Sequence, residues 1–121
     1  MPGIDNTRLD TVVKKIIEFR DERDWFQFHS PKNLAEVINI ESSELLEIFL
    51  WMTTEQSRKL GEPEIQNVKN EIADIFIFLT YLCHHFGIDL LDSVKEKIEQ
   101  NSIKYPIFRS KGSSKKYNVL L

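Results

Sequence analysis

Apolar residues return along this chain every three to four positions, which is the period of one buried helix face. Leu9, Val12, Val13, Ile16 and Ile17 form the first such stripe and predict a helix from Thr7 to about Trp25. His29-Ser30-Pro31 interrupts it. Ser30 is a good N-cap and Pro31 suits a first helical position, so a second helix should begin there and run to about Met52. Its apolar face is Leu34, Val37, Ile38, Leu45, Ile48 and Phe49. Thr53 and Thr54 offer caps for a short helical turn that Gly61 would end. A third helix opens at Pro63, carries Val68, Ile72, Ile75, Phe76, Leu79, Leu82, Cys83 and Phe86, and stops at Gly87. Asp89 caps a fourth through Leu90, Leu91, Val94 and Ile98, ending before Pro106. No internal repeat and no strand pattern appears. The expectation is an all-α four-helix bundle over residues 1–106, followed by a basic, mobile tail over residues 107–121.

Some carboxylates break this amphipathic design. With an advance of about 100° per residue and Leu34 as origin, Leu45 falls near 20° and Ile38 near 40°. Glu41 falls near 340°, inside the apolar stripe, and Glu44 near 280°, at its edge. On the third helix Glu71 and Asp74 flank Ile75 and Phe78 in the same way. Two helices thus each present a carboxylate pair at i, i+3, and Glu47 extends the first pair by another turn. A carboxylate held unpaired in a helix interface is strongly disfavoured, so it must protonate, meet a cation or bind a metal. Between Leu34 and Met52 there is no Lys or Arg. A hard divalent ion held through oxygen resolves the conflict, and magnesium is the natural choice when phosphate shares the site. Bundles that hold iron in this way use Glu-x-x-His. Here no Glu is followed by His at that spacing.

The composition adds limits. The chain has 121 residues, 41% hydrophobic and 29% charged, which suits one domain with one core. No apolar run reaches the roughly 18 residues of a membrane span. The first ten residues lack the basic start and apolar stretch of a secretory signal, and Cys83 is the single cysteine, so a reduced cytoplasmic setting is expected. The net charge of −3 is unevenly spread: all 19 acids precede Gln100, while Lys104, Arg109, Lys111, Lys115 and Lys116 follow it. The acidic body argues against a surface for nucleic-acid polymers. Trp25, Trp51 and Phe78 are flat side chains able to stack on a base. Lys97, Asn101 and Lys104 share one helix face and suit a polyphosphate. The absence of a glycine-rich phosphate loop excludes the P-loop class.

Glu41-Ser-Ser-Glu44-Leu-Leu-Glu47 followed by Glu71-Ile-Ala-Asp74 resembles the E-x-x-E…E-x-x-D signature of MazG-like proteins, in the all-α NTP pyrophosphatase superfamily. Arg23-Asp24-Trp25, Gln27-Phe28-His29, Pro31, Asn33-Leu34, Trp51 and Asn101…Lys104-Tyr105-Pro106 extend the likeness to its dCTP pyrophosphatase branch, over roughly residues 20 to 106. The resemblance implies a homodimer or homotetramer that cleaves a deoxynucleoside triphosphate, dCTP above all, to monophosphate and pyrophosphate. It implies magnesium on Glu41, Glu44, Glu71 and Asp74. Glu41, Glu44 and Glu47 are expected to be the catalytic carboxylates, with either Glu44 or Glu47 taking the proton of the attacking water. Substrate contacts are expected from Trp25, His29, Trp51, Phe78, Lys97, Asn101, Lys104 and Tyr105. Phe78 stands where close relatives carry Tyr, so any hydroxyl contact there is lost. The competing class is a non-catalytic helical module whose acidic faces meet a basic partner, and it gives Glu41 no reason to lie within an apolar stripe.

Overall fold

A computed structural model describes residues 6–119. Its helices are α1 (Asn6–Glu22), α2 (Pro31–Phe49), α3 (Thr54–Ser57), α4 (Glu62–Phe86), α5 (Leu90–Lys104) and α6 (Ile107–Ser110). Single 3-10 turns lie at Phe26–Phe28 and Tyr117–Val119. Among the described residues there is no strand, and no single helix is long and apolar enough to cross a membrane. The chain divides into two compact units, Met1–Gly87 and Ile88–Leu121.

The caps act largely where local chemistry places them. Ser30 Oγ accepts from the Asn33 N–H at 3.1 Å and starts α2. Thr53 and Gln56 close a reciprocal capping box around α3, at 3.1 and 2.9 Å. Gly87 ends α4 at φ 64°, a left-handed conformation that glycine adopts without steric cost. Asp89 Oδ1 accepts from the Asp92 N–H at 3.0 Å and starts α5.

Two helices stop earlier than their periodicity predicts. α1 ends at Glu22 because Asp24 turns left-handed, at φ 52°. The Trp25 N–H then bonds to the Arg20 carbonyl and the Asp24 N–H to that of Asp21, both at 3.1 Å, which is a Schellman ending. Gln27 Nε2 donates to both the carbonyl and the side chain of Asp24, at 3.1 and 2.9 Å. Asp tolerates the left-handed region better than most residues. α2 ends at Phe49, three residues before Met52. The segment from Ile107 onward carries α6 and the second 3-10 turn, whose Tyr117 packs edge-on to Tyr105 at 6.0 Å.

Within the first unit α4 is the central helix, with α2 and α1 packed against it. Glu44 meets Glu71 and His29 meets Tyr81, so α2 and α4 run in opposite directions. The fully buried interior is small: Leu34 at 1% exposure, Tyr81 at 3%, Thr80 and Arg20. Arg20 is buried because its charge is met locally. Its Nε and Nη2 both reach Asp21 Oδ1, at 2.9 and 2.8 Å, and its guanidinium lies 4.8 Å from the Phe26 ring centroid. Many apolar side chains remain exposed, among them Phe26, Phe28, Ile40, Leu46 and Leu50.

Leu34 is the best-enclosed side chain of this thin core. Leu34→Ala should lower unfolding free energy by about 3 kcal/mol, read as the shift of the urea midpoint at constant slope. A loss well under 1 kcal/mol would show that α2 is held to α4 by other contacts.

Candidate metal and phosphate site

The geometry of α2 and α4 brings the outlying carboxylates together. Glu41, Glu44 and Glu71 each offer an oxygen lying within 4.8 Å of the other two. Glu41 and Glu71 are half-buried, and Glu44 is exposed. Asp74 stands one turn beyond Glu71 on α4, half-buried, close enough for its charge to act on Glu41. Glu41 Oε2 and Glu71 Oε2 are buried without a hydrogen-bond partner. Two carboxylates side by side have four acceptor oxygens and no proton to share unless one of them is neutral. Burial pushes the Glu41 carboxyl up to about 7, helped by the adjacent Glu71 and Glu44 and by the charges of Glu44 and Asp74.

An all-oxygen donor set with orphaned, partly buried carboxylate oxygens fits a hard divalent cation such as magnesium. Glu47 lies outside the convergent trio. It lines, with Glu44, Ile48, Asn67, Asn70 and Glu71, a groove of about 420 Å³ beside the cluster. Asn67 and Asn70 were not among the expected site residues. Their signal was nonetheless present, because each stands four residues before an acid, Glu71 and Asp74 respectively.

Beyond the acids on α4 is an aromatic cluster. His29 stacks on Tyr81 at 4.7 Å between centroids, and Phe78 meets His29 edge-on at 6.5 Å and Tyr81 at 6.0 Å. Arg20 lies 5.7 Å from the Tyr81 centroid, with Nη1 3.4 Å from His84 Nδ1. Burial, and secondarily the Arg20 charge, lower the His29 pKa, which favours the neutral imidazole. His29 Nδ1 is buried without a partner. Burial raises the Tyr81 pKa, so its phenol stays protonated. Tyr81 and Arg20 escaped sequence reasoning: at helical spacing an aromatic reads as core, and nothing local marks an arginine as buried.

The remaining expected contacts are dispersed. Trp25 packs edge-on to Phe19 at 5.7 Å, and Trp51 is 92% exposed. In the second unit Lys97 and Asn101 lie exposed on α5, while Lys104 Nζ sits 4.9 Å above the Tyr117 ring and Tyr105 is half-buried.

Known proteins share this arrangement of sequence and fold. Residues 37–120 match the MazG-like family. The chain is 36% identical over 114 residues to dCTP pyrophosphatase 1 of Mus musculus, taking in 93% of this chain and 67% of that protein. It is 34% identical over 120 residues to dCTP pyrophosphatase 1 of Homo sapiens, with the same coverage. The crystal structure of a pyrophosphatase from Archaeoglobus fulgidus is similar with a TM-score of 0.78 and 41% identity, covering 82% of this chain and 93% of that one.

A divalent cation held by this cluster would compete with protons for the Glu41 oxygens. Below pH 7 the metal-free carboxyl is neutral and a cation must displace its proton; above pH 7 it is already ionised. Cation affinity should therefore fall about tenfold between pH 8 and pH 6, measured by calorimetric titration with magnesium. An affinity unchanged over that range would remove Glu41 from the ligand set.

Proposed function

The chain belongs to the MazG-like family, and we propose that it cleaves dCTP or a closely related deoxynucleoside triphosphate to the monophosphate and pyrophosphate. It is a nucleoside-triphosphate pyrophosphohydrolase, as its likeness to the dCTP pyrophosphatases and to a solved pyrophosphatase indicates. The observation that carries the finer reading is the convergence of Glu41, Glu44 and Glu71, with two buried oxygens that lack a partner. We assign magnesium to these three with Asp74.

When bound there, the ion supplies charge neutralisation and Lewis-acid polarisation of the phosphate. The protein's own groups do the rest. Glu41, Glu44, Glu71 and Asp74 would hold the ion and so fix the triphosphate beside α2 and α4. Water adds at the α-phosphorus as its bond to the α–β bridging oxygen breaks, and pyrophosphate leaves with that oxygen. Glu44 or Glu47 accepts the proton that the attacking water gives up. His29 and Phe78, half-buried and backed by the buried Tyr81, form a wall about one turn along α4 from Asp74, where a base has aromatic rings to stack on. Trp25, Trp51, Lys97, Asn101, Lys104 and Tyr105 enter as nucleotide contacts through the likeness of their motifs.

Self-association is part of the same proposal. Trp51, Phe28, Leu46 and Leu50 in the first unit, and Ile103, Ile107 and Phe108 in the second, expose apolar surface to water. A homo-oligomer would bury it. Gel filtration with light scattering should show a species larger than the monomer at micromolar concentration. A clean monomer would end this part of the reading.

The activity is tested by incubating the protein with each deoxynucleoside triphosphate and magnesium and separating the products. Monophosphate and pyrophosphate are expected, fastest from dCTP. Glu41→Gln and Asp74→Asn should each lower kcat by about two orders of magnitude or more while the circular dichroism spectrum is kept. Release of diphosphate and phosphate would mean a different hydrolase, and the absence of any product would favour a non-catalytic interaction module.

A further inference from the structure

The chemistry along α4 is ordered. Asn67, Asn70, Glu71, Asp74, Phe78 and Tyr81 occupy one stripe about 100° wide on the helical wheel, and three kinds of group follow one another along it: amides, carboxylates, aromatic rings. At 1.5 Å per residue the amide pair lies about 6 Å before the acid pair, and the ring pair about 10 Å after it. A nucleoside triphosphate has the same order: base and sugar, then the scissile α-phosphorus, then the two phosphates that leave. With rings at one end and the ion-binding acids between, the phosphates that leave fall on the amide end.

That end carries the side-chain hydrogen-bond donors of the groove. Of the six residues lining the groove, Glu44, Glu47 and Glu71 only accept when ionised, and Ile48 does neither. Asn67 and Asn70 supply the side-chain N–H groups. Phosphate oxygens pointing away from the ion need such donors, because bare carboxylates would repel them. Gln66 Nε2 donates to Asn70 Oδ1 at 3.0 Å. The acceptor of the Asn70 amide is thereby engaged by its neighbour, and its NH2 is the group left to donate. Lys69 lies about 200° from Asn67 on the wheel, so the nearest α4 cation faces away from the groove.

We propose that the Asn67 and Asn70 amides bind the pyrophosphate portion of the substrate and of the product, with Gln66 as the positioning residue that holds Asn70 in its donating orientation. This rests on the hydrolase reading above and adds to it the direction in which the triphosphate lies along α4.

The test compares the two products as ligands. Magnesium pyrophosphate and dCMP are titrated separately into the wild type and into Asn67→Ala/Asn70→Ala, by calorimetry and as inhibitors of turnover. Both asparagines are exposed on a helix surface, so the double variant should fold and melt as the wild type does. Pyrophosphate should bind about tenfold more weakly or worse, with dCMP unaffected. Asn70→Asp, which replaces donors by a charge, should lose still more. Gln66→Ala should weaken pyrophosphate binding in the wild type and have no further effect in Asn70→Ala. Unchanged pyrophosphate affinity in an active enzyme would overturn this assignment and leave the hydrolase reading standing. Loss of dCMP affinity in place of pyrophosphate would reverse the direction of the substrate and overturn it as well. A wild-type protein that releases no pyrophosphate from any deoxynucleotide would remove both readings.

Discussion

Two helices that must pack to bury Leu34 also press acidic side chains towards one another, and this conflict organises the first unit. Hydrophobic contact draws α2 onto α4. The same closeness places Glu41, Glu44 and Glu71 within a shared space where full ionisation without a cation is costly. The rise of the Glu41 carboxyl to about 7 expresses that cost as proton affinity. A divalent ion relieves it better than a proton, because it satisfies several oxygens at once. Packing and the convergence of the carboxylates are therefore not separate features: the energy that holds the helices together brings these oxygens to one place.

α4 carries most of this arrangement because it is long and central. Its 25 residues place amides, carboxylates and aromatic rings on one face without a loop between them. Sites built on a rigid helix keep their spacing better than sites on loops. The buried Arg20 belongs to the same economy of parts. It engages Asp21 and the faces of Phe26 and Tyr81, joining the end of α1 to the aromatic wall, and its charge helps keep His29 neutral.

Much of the fold was legible in the chain because its signals are local. Ser30, Thr53, Gly87 and Asp89 all serve as caps or stops where their chemistry suggests. The end of α1 was not legible in the same way. A periodic reading runs on to Trp25, whereas an aspartate in the left-handed conformation closes the helix at Glu22. Asp is tolerated there without being demanded, so the sequence carries only a weak mark. The 3-10 turn at Phe26–Phe28 follows from that ending.

Helical period alone determined that Glu41 interrupts an apolar stripe and that Glu71 and Asp74 do the same on a second helix. It also determined that such acids must protonate, meet a cation or bind a metal, since desolvation depends on residue type and face, both of which can be read one helix at a time. Only the tertiary structure decided which acids converge. Glu41, Glu44 and Glu71 meet, while Glu47 turns into the neighbouring groove with Asn67 and Asn70. It decided too that Tyr81 and Arg20 stand behind His29. The physical reason is that convergence depends on the register of two antiparallel helices, which the packing of their side chains sets and neither helix encodes alone.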